Sequence, residues 1–214
     1  MTMTSKRKLP VLVEQSIGRV EVLRVEASSR LEMVLRAEVG RAGLNITCTA
    51  GCASCCYHPI SISILEAIPI YRMLVRHGKW TTGLRKKLNE ASERQIGASY
   101  EIWLLSLIPC PLLTIDNRCS VYDERPLICR TYVSVGDSHY CHPHRLGPET
   151  KLLPRADVVD KFHADQTTLL QKNRLQLSIV PIGTALLLAE RVCSGDIELS
   201  AVDGEIVKEY AKHG

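Results

Sequence analysis

Cys48-Thr-Ala-Gly-Cys52-Ala-Ser-Cys55-Cys56 is the stretch on which the reading of this chain turns. Steps of four and three residues bring side chains to one face of a helical turn, so the sulfurs of Cys48, Cys52 and Cys55 can converge. Cys55 and its neighbour Cys56 point in different directions. Gly51 and the small residues around it let the backbone approach a ligand closely. Four more thiols follow at Cys110, Cys119, Cys129 and Cys141, each expected on a separate short element. Eight of the nine cysteines therefore fall within 94 residues, and only Cys193 stands apart. Cysteines used simply as small core residues would be scattered instead.

The compartment decides how such thiols are read. Met1–Pro10 is polar and basic, with Lys6, Arg7 and Lys8, and no apolar stretch with a cleavage site follows it. The longest apolar run, Ile179–Ala189, is 11 residues long and contains Pro181 and Gly183. A membrane span needs about 20 apolar residues, so the run reads as a buried helix. The expectation is a cytoplasmic chain with no membrane contact, in which reduced thiols serve as metal ligands rather than disulfides. An odd number of cysteines points the same way.

Composition narrows the field further. In a 214-residue chain, 45% hydrophobic residues suffice for a core. Aromatic residues make up only 5%, too few for a platform that stacks single-stranded bases. A net charge of +4 is too mild to imply a nucleic-acid partner, and none is expected.

Around the cysteines the sequence reads as helices. One long helix is expected from about Val11 to Ala42, with Val13, Ile17, Val20, Leu23, Leu31, Val34 and Leu35 on one stripe and Gly43 and Asn45 closing it. Ser63-Ile-Leu-Glu66 is a capping box opening a helix that ends at Gly78, with Pro69 kinking it or delaying its start. A third helix is drawn from Thr82 to Leu107, stopping before Pro109. Leu112–Ile115 and Cys119–Tyr122 flank Asp116-Asn117-Arg118 as a short hairpin. Pro126 opens a short helix through Cys129 and Arg130. Val135–Pro148 reads as loop. A helical pattern returns from Arg155 to Cys193, broken near Pro181, and Val202–His213 forms a last helix. No repeat and no strand–helix alternation is visible, which argues against a parallel α/β sheet. The expected fold is mainly α with a small β-hairpin, its helices packed around a cysteine-rich metal-binding centre. Its expected parts are a helical segment 1–47, a cysteine-cluster domain 48–148 and a helical segment 149–214.

These residues carry a resemblance. Cys48–Cys56, Cys110-Pro-Leu-Leu113, Cys119-Ser-Val-Tyr-Asp-Glu-Arg-Pro-Leu-Ile-Cys129-Arg130 and Cys141 resemble the YkgJ-type cysteine-cluster family, described as chelating zinc or iron. A related cysteine pattern occurs in the FliB lysine methylases. Leu112-Leu113 stands where the family more often has an aromatic after Cys-Pro. The resemblance implies metal binding rather than any particular reaction.

The eight candidate ligands are Cys48, Cys52, Cys55, Cys56, Cys110, Cys119, Cys129 and Cys141. Structural zinc most often takes two paired knuckles, and here there is one Cys-x-x-Cys, with later thiols separated by eight, nine and eleven residues. Iron–sulfur clusters take four cysteines, often three close and one remote, and Cys48, Cys52 and Cys55 supply such a trio. An iron–sulfur cluster of the 4Fe-4S type is therefore the preferred cofactor and zinc the alternative, with Arg125 and Arg130 offsetting the charge of the thiolates. The spacing of the first three cysteines also matches the radical S-adenosylmethionine motif. Ser54 stands where that class has an aromatic, and the strand–helix alternation of its barrel is missing. His58, His139, His142 and His144 lie near cysteines and are more simply read as solvated than as ligands. Cys193 reads as an ordinary buried cysteine. There is no P-loop, no GxSxG and no HExxH, and without a glycine-rich cofactor loop methyl transfer of the FliB kind has no visible S-adenosylmethionine site. Three functions remain open: a redox or cluster-dependent modification protein with an unidentified redox partner, a zinc-stabilised interaction module, and an iron-dependent enzyme with an open coordination position.

Overall fold

In a computed structural model, the described residues are 9–43, 45–48, 51–96, 98–135, 151–152, 156–173 and 177–211. Helix α1 runs from Val11 to Arg41, starts at Pro10 and is closed by Gly43 with φ +62°. Its buried face carries Val13, Ile17, Val20, Leu31, Leu35 and Val39, the stripe that the 3.6-residue period demands. Strand β1 (Ser61–Ser63) leads without a break into α2 (Ile64–Arg76). Ser63 caps α2 and Glu66 reaches back to the Ser63 backbone, so the capping box read from sequence is present. Pro69 lies inside this helix, which begins at Ile64 and not later.

The single helix expected from Thr82 to Leu107 is two. Helix α3 (Thr82–Gln95) ends at Ile96, and α4 (Tyr100–Leu105) starts afresh, with the Ser99 side chain accepting from Ile102 N. Ile96 adopts an extended backbone. A cap-forming serine close behind it favours a new start over continuation. Helix α5 (Leu127–Thr131) follows Pro126, as expected, and leads toward β2 (Ser134–Val135). Strand β3 (Lys151–Leu152), α6 (Ala156–Lys172), β4 (Ile179–Pro181), α7 (Ile182–Ser194) and α8 (Val202–Ala211) complete the order.

The fold is mainly α, with eight helices among the described residues and small two-stranded antiparallel sheets. The apolar run at 179–189 divides between a strand and a helix at Pro181. β4 pairs antiparallel with β1, Ser61 opposite Pro181 and Ser63 opposite Ile179. Because β1 feeds α2 and β4 feeds α7, this short ribbon sets the two helices side by side, and they form the most extensive helix pair. α3 packs on the far side of α7, where Gly183 lets the backbones close up: a Cβ there would lie 3.0 Å from Leu88 O. α1 covers α2 and α6. One continuous core results, with Ile62, Leu65, Leu88, Leu127, Leu170 and Leu186 fully enclosed. Among the described residues no helix is long and apolar enough to cross a membrane.

Candidate metal centre

Cys55 and Cys56 sit on one turn of 3-10 helix, Ser54–Tyr57, reached through Gly51 at φ +90°. Cys56 N donates to Ala53 O and His58 N donates to Cys55 O, which fixes the turn. The second cysteine group is tied to it directly, since Cys110 N donates to Cys56 O at 2.7 Å. From Cys110 the chain makes a tight reversal. Leu113 and Cys119 form a single antiparallel bridge, Thr114 Oγ1 accepts from Arg118 N, and Asn117 takes φ +56° at the turn. The hairpin read from sequence is thus a turn closed by one bridge, because the left-handed Asn117 spends its residues on reversal rather than on strand. Cys129 comes from α5, whose first N–H groups need an acceptor. The buried Glu66 carboxylate takes the one on Leu127, at 3.4 Å.

These elements wall a cavity of about 320 Å3. Cys52, Cys55, Cys56, Cys110, Cys119 and Cys129 all line it, so six of the eight candidate ligands meet there. All six are free thiols and half-buried. Cys48 does not line it: its sulfur accepts from Ser134 N at 3.3 Å, and its residue is exposed. Cys141, His139, His142 and His144 lie outside the described residues. His58 is buried, with its ring 4.9 Å from that of Tyr132, and is not part of the wall. Cys193 lies in α7 away from the cavity, packed against the core. Arg125 lines the cavity, held over the Tyr122 ring at 3.8 Å and donating to Tyr122 O. Arg130 does not line it. Its guanidinium donates to Asp123 O and Arg125 O and braces the loop that carries Arg125.

The electrostatics of the thiols follow from this crowding. A hydrogen bond from Cys56 draws Cys55 down to about 7, helped by the Arg125 charge, and the same bond with burial pushes Cys56 upward. Burial raises Cys110 to about 12 and lifts Cys119 and Cys129, with the neighbouring thiols adding to the effect. Buried thiols that resist ionisation this strongly become thiolates when a metal ion supplies the compensating charge. Arg130 is itself lowered, first by burial and then by the like charges of Arg125 and Arg24.

Residues 47–152 match the family model CxxCxxCC, "Putative zinc- or iron-chelating domain". This segment belongs to the CxxCxxCC family. No curated relative and no solved structure matches the chain at a significant level. The CxxCxxCC domain is a metal-binding cysteine domain for zinc or iron, as the YkgJ-type resemblance implies. Within it, no three His, Cys, Asp or Glu side chains among the described residues converge closely enough to hold one ion. The thiols are spread around a volume instead.

Sequence reasoning missed part of the wall. Ile182, at the start of α7, closes the cavity from a segment 53 positions beyond Cys129, together with Ile60 and Leu112. No local pattern signals that contact, which exists because β1 and β4 pair. Glu66 was visible as a capping residue, but its second bond, to the helix carrying Cys129, was not.

Proposed function

We propose that the CxxCxxCC domain holds an iron–sulfur cluster of the 4Fe-4S type and uses it in electron transfer, redox sensing or a cluster-dependent modification, in the cytoplasm. The observation that carries this reading is the distribution of thiols around an open volume. A single tetrahedral zinc with bonds of about 2.3 Å gathers four sulfurs into a knot about 4 Å across, leaving no cavity between them. Six thiols on the wall of a cavity of about 320 Å3 fit a multi-iron core with bridging sulfides better.

Cys55, Cys56, Cys110, Cys119 and Cys129 influence one another's ionisation, so they form the candidate ligand set, with Cys52 beside them. When bound, such a cluster supplies a site that gains and loses one electron. Arg125 offsets thiolate charge, since its field reaches Cys55, Cys119 and Cys129. Ile60, Leu112, Val121 and Ile182 keep bulk water from the inner wall.

Anaerobic purification of the full chain, followed by assay of iron, acid-labile sulfide and zinc with a visible spectrum, tests this directly. The expected sample is brown, contains iron and sulfide in equal amounts, and bleaches with dithionite. A colourless protein with stoichiometric zinc and no sulfide would refute the cluster and favour a zinc-stabilised interaction module.

A further inference from the structure

On the outer side of the segment that carries Arg125 lies a second cavity, an open groove of about 620 Å3 between α1 and residues 123–130. Its size is that of a small-molecule site. Arg24 and Arg36 enter from α1, and Arg125 and Arg130 from the opposite wall. The two pairs differ in how their charge is met. Arg24 is paired with Glu124 at 3.1 Å, and Arg36 with Glu32 one helical turn away. Among the described residues Arg125 and Arg130 donate to main-chain carbonyls of Tyr122, Asp123 and Arg125 and form no ion pair, although Glu124, already bound by Arg24, lies near enough to act on Arg130, and Glu32 and Asp123 also line the groove. Two adjacent guanidiniums therefore keep donors for an oxyanion, the geometry that planar guanidinium forks recognise best. The groove is also not polar throughout. Leu31 and Leu35 are buried in its floor, and Val25 and Ile46 stand in its wall at 55% and 44% exposure.

We infer that this groove binds a small organic anion, its phosphate or carboxylate group held by Arg125 and Arg130 and its apolar body laid against Val25 and Ile46. The groove adjoins the thiol cavity through Arg125, which lines both, but its reading does not depend on which metal the domain holds. A free inorganic ion would use the arginines alone and leave Val25 and Ile46 wet.

The test is calorimetric titration of the full chain, as purified with its metal, using inorganic phosphate, phenyl phosphate and phenol as probes. Phenyl phosphate is expected to bind roughly tenfold more tightly than inorganic phosphate, because its ring covers apolar surface. Its affinity should fall with rising salt, and phenol should not bind. Arg130→Lys keeps the charge but loses the fork, and is expected to weaken phenyl phosphate about tenfold. Because Arg130 also braces its loop, Val25→Glu provides an independent variant. It sits on the exposed face of α1, leaves both arginines in place and is expected to weaken phenyl phosphate about tenfold with unchanged metal content and melting temperature. Failure of both phosphates to bind at millimolar concentration would overturn the inference. So would equal affinity for the two phosphates, or indifference to Val25→Glu.

Discussion

Replacing Glu66 by alanine should loosen the cysteine helix without touching a thiol. The Glu66 carboxylate is 5% exposed and accepts from Leu127 N at 3.4 Å and Ser63 N at 3.3 Å. Alanine leaves both buried N–H groups without that acceptor, at about 1–3 kcal/mol each. The low end applies, because the bonds are long and because removing a buried carboxyl group also removes its desolvation cost. The Ser63 side chain still accepts from residue 66 N, so the cap itself survives. A net loss of about 2 kcal/mol is expected. Glu66→Gln keeps an acceptor oxygen for Leu127 N but turns its NH2 toward Ser63 N, so it should cost about 1 kcal/mol, half the alanine loss. The two variants also separate by pH. Burial raises the Glu66 carboxyl above its ordinary 4.5, so its contribution is complete below pH 4.5 and is lost as pH rises through the higher folded value. Glutamine does not titrate, so the stability difference should shift in favour of Glu66→Gln as the pH rises from 4.5 into the neutral range. Urea unfolding followed by circular dichroism at several pH values measures both effects. A Glu66→Ala midpoint equal to wild type, or a Glu66→Gln loss as large as that of alanine, would refute the reasoning.

Serine at Cys55 or Cys129 should lower metal content and stability together, whereas Cys193→Ser should change neither, as elemental analysis and thermal melts will report. Metal removal by a chelator should lower the urea midpoint by an amount that metal restores, because Arg125 alone does not balance the charge of several thiolates. In the metal-free protein Cys55 should alkylate with a midpoint near pH 7, being thiolate above it, while Cys110, raised to about 12, stays unreactive there; mass mapping of iodoacetamide adducts distinguishes them. Gly183→Ala should cost about 1–3 kcal/mol, since the new methyl would press on Leu88 O at the crossing of α3 and α7, and a thermal melt will show it.

Much of the helical framework was legible because its signals are local. The stripe from Val13 to Leu35, the Ser63–Glu66 capping box and Pro126 ahead of Cys129 each act within a turn or two of backbone, and each element formed where those residues place it. The break between α3 and α4 was missed because an isolated glycine, Gly97, is tolerated inside a helical pattern and helix formers stand on both sides of it; with it, the cap at Ser99 marks the restart. The division of the apolar run at Pro181 was half legible: proline marked the break, but nothing nearby revealed that Ile179–Pro181 would pair with Ser61–Ser63.

The sequence by itself determined that this chain carries a thiol-rich, metal-binding CxxCxxCC domain among helices, because ligand chemistry resides in residue type and helical periodicity in short-range spacing. Only the tertiary structure decided which thiols share a cavity. Cys52 to Cys56 meet Cys110, Cys119 and Cys129, while Cys48 turns to the Ser134 backbone instead. The physical reason is that these neighbours are brought together by contacts between distant segments, the Cys110–Cys56 backbone bond and the β1–β4 ribbon, whose partners leave no mark on each other's local sequence.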